Sequence, residues 1–145
     1  MKKKKVIIIF GTRPEAIKLA PLYHYFKKHS PQIETLVAVT GQHKEMLHQA
    51  LNLFEISPDF DFSLMRPNQT LSKLTSNMLE CLTTFLIEEE PDIVITQGDT
   101  TTTFVASIAA FYEGIPIAHI EAGLRSFDNY SPFPEEVNRK ITSIL

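Results

Sequence analysis

The sequence has few of the features that mark secreted, membrane-bound and metal-binding proteins. Its 145 residues include one cysteine, Cys81, which excludes an internal disulfide and favours a reducing compartment. The apolar run at 6–10 has five residues, which is too short for the core of a signal peptide. No two histidines stand four residues apart, so a metal pair of the His-Glu-x-x-His type is absent. We therefore expect a cytoplasmic protein, and its sequence contains no metal-binding motif.

Positive charge is also scarce. The formal net charge is −3, and the only run of basic residues lies at 2–5. Nucleic acids and membrane surfaces are bound through basic patches, so we expect neither as a partner. The lysine run precedes an apolar strand and is interpreted as a solvated segment. With 43% hydrophobic and 21% charged residues, the chain has the composition of one globular domain with a substantial core.

The order of apolar runs and polar turns predicts a parallel sheet. Short apolar runs rich in β-branched residues are typical of strands buried on both faces, and a polar turn and an amphipathic helix follow them. The predicted strands lie at 5–10, 35–40, 93–97 and 116–120, with an edge strand at 60–64. The predicted helices lie at 14–29, 44–51, 70–90, 101–113 and from 134 onwards. This alternation predicts an α/β, Rossmann-like fold with helices on both faces of the sheet.

Polar clusters follow four of the predicted strands. In parallel sheets, ligands bind beyond the carboxyl ends of the strands, where the first N–H groups of the helices are free. Helix capping explains any single cluster, because Asp and Thr are favoured caps. Four clusters at one edge indicate a binding site. They are GTRPE at 11–15, TGQH at 40–43, GDTTTT at 98–103 and EAGLR at 121–125.

Several well-defined catalytic and nucleotide-binding motifs are missing. The sequence has no Gly-x-Gly-x-x-Gly, no P-loop and no serine in a nucleophile elbow. The clusters instead contain carboxylates, an arginine, a lysine close by and amide-rich turns. This combination is suited to proton transfer on a polar, anionic ligand.

Four long segments carry a family resemblance. They read FGTRPEAIKLAPL (10–22), TGQHKEML (40–47), QGDTTTTFVASIAAFY (97–112) and HIEAGLRSFDNYSPFPEEVNRKITSIL (119–145). In this order, they resemble the amino-terminal half of the non-hydrolysing UDP-N-acetylglucosamine 2-epimerases. The resemblance implies the first of two Rossmann-like domains in a GT-B arrangement, a homodimer, and no metal or redox cofactor. It also implies interconversion of UDP-N-acetylglucosamine and UDP-N-acetylmannosamine for the synthesis of surface polysaccharide.

The implied reaction explains why acids cluster. The hydrogen at C2 of this sugar is not next to a carbonyl, so simple proton abstraction gives no stabilised carbanion. The resemblance implies anti elimination of UDP to 2-acetamidoglucal, followed by re-addition of UDP with proton delivery to the opposite face. Carboxylates must therefore surround one sugar ring. By the resemblance these are Asp99, Glu121 and Glu135, and which of them removes or returns the proton stays open.

Further positions match the family motifs. Arg13 and Lys18 match basic residues that we expect to hold the diphosphate and offset its charge. Gly98, Thr100 and Arg125 are the other predicted substrate-binding residues.

A second, allosteric site is also implied. Gln42 and His43 resemble part of a site at which UDP-N-acetylglucosamine activates family members. Regulated relatives carry an arginine directly before a glutamine, where this chain has Asn68, and its arginine is Arg66. This departure weighs against substrate activation.

The resemblance runs from residue 5 to residue 145 and is weakest over 52–90. A complete member of the family is more than twice as long, and its second half supplies most of the uridine and diphosphate contacts and a catalytic histidine. We therefore expect an incomplete amino-terminal domain that ends within a helix, lacks the nucleotide-binding domain and has little or no epimerase activity alone.

Other functions remain open at this point. A GT-B glycosyltransferase would share the fold and a UDP-sugar ligand, but it needs an acceptor. A hydrolysing epimerase would release free N-acetylmannosamine. A non-catalytic binding or assembly module would keep a surface without the reaction.

Overall fold

The computed structural model describes residues 3–41 and 44–145, and within these ranges five parallel strands form one sheet in the order β3-β2-β1-β4-β5. The strands are β1 Lys4–Phe10, β2 Ile33–Val39, β3 Phe60–Asp61, β4 Ile93–Gln97 and β5 Ile117–Ile120. The helices are α1 Arg13–His29, α2 Lys44–Leu53, α3 Leu71–Glu89, α4 Thr101–Tyr112 and α5 Glu135–Thr142. The predicted α/β, Rossmann-like fold is confirmed.

The central strand β1 is buried on both faces. It pairs with β2 on one side and β4 on the other, with Ile8 opposite Val37 and Ile95. Ile8 lies in the core layer that includes residues of α1 and α2, whereas Ile7 and Ile9 lie in the layer that includes residues of α3 and α4. A strand with apolar residues on both faces therefore needs helices on both sides, as its sequence predicts.

Two predicted elements are shorter than expected. The edge strand ends at Asp61, whose Oδ1 accepts hydrogen bonds from the N–H and the hydroxyl of Ser63, and Ser63 has a φ of 47°. This turn stops regular pairing. Helix α5 ends at Thr142, so the prediction of a helix running to the last residue was wrong. Ser143 follows the helix and donates both its backbone N–H and its hydroxyl hydrogen to the carbonyl oxygen of Arg139.

Glycines turn the chain at the carboxyl edge of the sheet. Gly41 follows β2 and Gly98 follows β4, with φ values of 71° and 82°, a left-handed conformation that glycine adopts without strain. The residues after Gly98 lie at the edge where the polar clusters were predicted to meet. No helix in the described ranges combines the length and apolar character that spanning a membrane requires.

Candidate active site

An arginine on α5 joins two of the predicted acids. The Arg139 guanidinium forms an ion pair with the Asp99 carboxylate, and its Nε lies 3.6 Å from Oε1 of Glu121. The side chain of Arg139 is only 12% exposed and that of Glu121 14%, so little water separates these charges. A shared guanidinium offsets the repulsion between two neighbouring carboxylates. The structure therefore brings Asp99 and Glu121 together, as the sequence predicted.

The sequence analysis missed Arg139. Its signal was available, because Arg139 stands one helical turn after Glu135 and Glu136, the acids that begin α5. In a helix this spacing places side chains on the same face. The family motif that ends in PEEVNRKITSIL contains this arginine. The motif does not indicate that the arginine contacts acids in other loops.

Glu136 is a further buried acid with no predicted role. It is fully buried, and its Oε1 accepts from Arg125 Nε at 2.9 Å, while its Oε2 accepts from the N–H of Ser126 at 3.1 Å. Arg139 Nη1 lies 3.3 Å from the same Oε2. The hydrogen bond from Arg125, followed by that from Ser126, lowers the pKa of Glu136 from 4.5 to about 2. The predicted substrate-binding residue Arg125 is thus engaged by a protein carboxylate.

Glu135 lies apart from the ion pair. It lines a cavity of about 260 Å³ between the first turns of α3, α4 and α5, together with Thr100, Thr101 and Asn138. Its Oε2 is buried and has no hydrogen-bond partner among the described residues. Asn138, which also lines this cavity, connects it to Asp99, because its Nδ2 donates to the carbonyl oxygen of Asp99 at 3.0 Å. Glu135 therefore faces the region from a second direction.

Two of the predicted cations line an open cleft. Arg13 and Lys18 border a cleft of about 520 Å³ at the first turns of α1, with Pro14, Ile17 and Met46. The positive end of the α1 dipole and two exposed cations suit the binding of an anion. This cleft and the cavity beside Glu135 have no lining residue in common.

A buried glutamate joins the two loops beside these sites. Glu15 is 2% exposed, and its Oε2 accepts from the N–H groups of Gly11 and Thr12 and from the Thr12 hydroxyl. Its Oε1 accepts from the Thr100 hydroxyl at 2.6 Å. Burial raises the pKa of Glu15, and the hydrogen bonds, that from Thr100 foremost, act in the opposite direction. The α1 and α4 loops are therefore tied together by neutral donors.

Three of the threonines in the run 100–103 have internal partners. Thr100 caps α4 by accepting from the N–H of Thr103, and the Thr103 hydroxyl donates to the Gln97 carbonyl at 2.6 Å. The Thr102 and Thr40 hydroxyls lie 2.8 Å apart. Capping and loop-to-loop contacts therefore explain why threonine occupies these positions, and a binding role for Thr100 stays a prediction.

Gln42 and His43, predicted for the allosteric site, lie outside the described residues, so that prediction stays untested. Within the described ranges, no group of three or more His, Cys, Asp or Glu residues is arranged to hold a metal ion.

Comparison with known proteins identifies the family. The family profile described as UDP-N-acetylglucosamine 2-epimerase matches residues 26–145. The chain belongs to the UDP-N-acetylglucosamine 2-epimerase family. It is 55% identical to such an enzyme of Neisseria meningitidis over 97% of this chain and 38% of the relative, and 54% identical to that of Bacillus subtilis over 100% and 38%. The chain thus spans about two fifths of the length of these epimerases.

A solved epimerase has the same fold in this region. The crystal structure of UDP-GlcNAc 2-epimerase from Neisseria meningitidis bound to UDP-GlcNAc superposes with a TM-score of 0.91 at 54% identity, and the match covers 97% of this chain and 38% of that one. The predicted resemblance to this epimerase family is confirmed.

Proposed function

We propose that the chain is the amino-terminal domain of a UDP-N-acetylglucosamine 2-epimerase and supplies the acids that act on the sugar. The observation that carries this proposal is the pair of carboxylates, Asp99 and Glu121, on one guanidinium of Arg139. The Neisseria meningitidis relative, which binds UDP-GlcNAc, supports the choice of substrate.

The reaction begins with anti elimination. A carboxylate takes the proton from C2, the electrons of the C–H bond form the C1–C2 double bond, and the C1–O bond to UDP breaks. The products are 2-acetamidoglucal and UDP. A base must lie within reach of the C2 hydrogen, and Asp99 and Glu121 are brought together on the guanidinium of Arg139.

Re-addition inverts C2. The glycal takes a proton at C2 on the opposite face, and the UDP oxygen bonds to C1 again, which gives UDP-N-acetylmannosamine. This step needs an acid on a second side of the ring. Glu135 fits the requirement because it approaches from the start of α5 and has a buried carboxylate oxygen without a protein donor in the described part of the chain.

The diphosphate leaves and returns with two negative charges near C1. We assign its binding to Arg13 and Lys18, which line the cleft at the start of α1. Fixed cations and helix N–H groups stabilise the charge that develops on a leaving diphosphate.

The proposal includes a second domain. The chain spans 38% of its Neisseria and Bacillus relatives, so the nucleotide-binding part of a complete epimerase corresponds to the remaining length. The isolated chain is then nearly inactive. The family resemblance extends the proposal to a cytoplasmic homodimer that serves polysaccharide synthesis.

A chimera tests this function. The matching segment of the Bacillus subtilis epimerase, 54% identical over 145 residues, is replaced by this chain. The chimera is incubated with UDP-N-acetylglucosamine in D₂O and followed by proton NMR. We expect deuterium at C2 and formation of UDP-N-acetylmannosamine. Glu121→Gln should slow both by about a hundredfold or more, whereas Glu34→Gln, an exposed glutamate on β2, should leave them unchanged.

The products separate the alternatives. Free N-acetylmannosamine would indicate a hydrolysing epimerase, and sugar transfer to an acceptor would indicate a glycosyltransferase. A folded chimera whose C2 exchange survives both Asp99→Asn and Glu121→Gln would overturn the proposal.

A further inference from the structure

His119 has no part in the proposed chemistry, yet it makes a short hydrogen bond beside the acids. It lies on β5, two residues before Glu121, and is half-buried. Its Nε2 is 2.7 Å from the carbonyl oxygen of Gly98. A carbonyl oxygen only accepts hydrogen bonds, so Nε2 carries the hydrogen and donates.

The bond fixes a flexible point of the chain. Gly98 follows β4 with a φ of 82°, and its N–H donates to the Ile120 carbonyl at 3.0 Å. With His119 on its carbonyl, both backbone groups of Gly98 are bound to β5. Glycine has the widest backbone freedom of all residues, so these two bonds restrict the direction in which the chain leaves β4.

The contact between two of the predicted acids, Asp99 and Glu121, depends on the direction in which the chain leaves β4. Asp99 is the next residue, and its carboxylate contacts Arg139. Glu121 is close to the same turn, since its Oε2 lies 3.8 Å from the position that a Cβ on Gly98 would occupy. A rotation of the peptide after Gly98 would therefore move Asp99 away from the guanidinium that it shares with Glu121.

We propose that His119 is a positioning residue that holds the Gly98 carbonyl and thereby keeps the Asp99 carboxylate in contact with Arg139, beside Glu121. Its catalytic consequence rests on the proposed function, whereas its effect on the ion pair does not. His119 itself contacts a backbone carbonyl rather than a carboxylate.

The chain offers a matched control. His24 Nε2 also lies 2.7 Å from a backbone carbonyl, that of Phe54, on the side of the sheet covered by α1 and α2. His119→Gln keeps an N–H donor near the position of Nε2, and His119→Asn is too short to reach it. His24→Asn removes the equivalent bond elsewhere. These variants separate the loss of a histidine bond from the loss of this particular bond.

The first measurement is NMR on the 145-residue chain. We expect His119→Asn to speed amide exchange of Gly98 by about tenfold and to shift the Nε–H resonance of Arg139. His119→Gln should restore both, and His24→Asn should change neither. Amide exchange of Ile8 in β1 reports whether each variant is folded. If the asparagine variant unfolds, His119→Phe, which has no donor, replaces it.

The second measurement uses the epimerase chimera. His119→Asn should lower kcat by about ten- to a hundredfold with little change in KM, and His119→Gln should recover most of the loss. An inactive parent chimera would count against the proposed function, while the NMR measurement would still decide the role of His119. An unchanged Arg139 resonance in the folded His119→Asn variant would overturn the role proposed for His119. Equal losses of kcat in His119→Gln and His119→Asn would also overturn it.

Discussion

Glu15 and Glu136 are both fully buried, yet their pKa values move in opposite directions. Glu15 accepts hydrogen bonds only from backbone N–H groups and threonine hydroxyls, and burial raises its pKa. Glu136 accepts hydrogen bonds from Arg125 and then from the N–H of Ser126, and these lower its pKa to about 2. Neutral donors compensate a buried charge only in part, whereas guanidinium groups reverse the effect of burial.

The comparison divides the candidate site into two parts. The part around Glu15 joins the α1 and α4 loops through neutral hydrogen bonds, next to the cleft of Arg13 and Lys18. In the part around Glu136, this carboxylate joins α5 to the segment 125–126 through hydrogen bonds from Arg125 and Ser126. It also forms an ion pair with Arg139. We expect mutations in the charged part to have larger effects, because removal of one partner leaves a buried charge unpaired.

The largest effect is expected for Arg139→Ala. The change leaves Asp99 and Glu121 close together without their shared cation and removes one partner of Glu136. Urea unfolding of the chain should show a loss of about 3 kcal/mol in the free energy of unfolding. The exposed neighbour provides the control, since Lys140→Ala should change that free energy by less than about 0.5 kcal/mol. Equal losses for both variants would show that the guanidinium contacts are not important for stability.

Glu136→Gln tests the lowered pKa. A carboxyl whose folded pKa is about 2, below its ordinary value of 4.5, contributes stability above pH 4.5 and loses it as pH falls towards 2. The wild-type chain should therefore lose stability between pH 5 and pH 3 more steeply than the glutamine variant. Thermal unfolding across this range is the measurement. Parallel curves would contradict the assignment of a low pKa to Glu136.

Glu15→Gln should change the pH dependence in the opposite sense. A raised pKa means that the contribution of Glu15 is fully present below pH 4.5 and is lost as pH rises through the folded pKa. Relative to wild type, the glutamine variant should gain stability as the pH rises above 4.5. The same unfolding series measures it. If Glu15→Gln and Glu136→Gln change stability over the same pH range and in the same direction, the opposite pKa shifts assigned to the two glutamates are wrong.

The smallest effect is expected for Thr100→Val. This change removes the hydroxyl that donates to Glu15 Oε1 at 2.6 Å and that caps α4, so it should cost about 1 kcal/mol of folding free energy and raise the pKa of Glu15 further. Thr84→Val on α3 is the control, because its exposed hydroxyl donates to a helix carbonyl. A cost for Thr100→Val no larger than that for Thr84→Val would show that the hydroxyl does not stabilise the buried charge.

The fold could be predicted because its signals are local. The apolar run of β1 and the turn at Gly98 mark strands and turns in the sequence itself. The shortened edge strand could not be predicted from alternation, because it depends on the turn that the hydrogen bonds of Ser63 to the Asp61 side chain form.

The contacts of the site were harder to predict. The family motifs pointed to Asp99 and Glu121, but Arg139 is 40 residues from Asp99 in the chain, and only the fold brings them together. Arg125 was predicted to bind substrate, and no sequence motif indicates that Glu136, 11 residues away, accepts its hydrogen bonds. Pairings across loops depend on tertiary structure, which residue types alone do not specify.

The most direct test compares three acids in the epimerase chimera. Incorporation of deuterium at C2 of UDP-N-acetylglucosamine is measured for Asp99→Asn, Glu121→Gln and Glu136→Gln. We expect the first two to lose about a hundredfold or more in rate, because the proposal places these carboxylates at the reacting carbon. Glu136→Gln, whose parent side chain is fully buried against arginines, should lose less. Wild-type exchange in the first two variants, or the largest loss in the third, would contradict the assignment of Asp99 and Glu121 as the reacting acids.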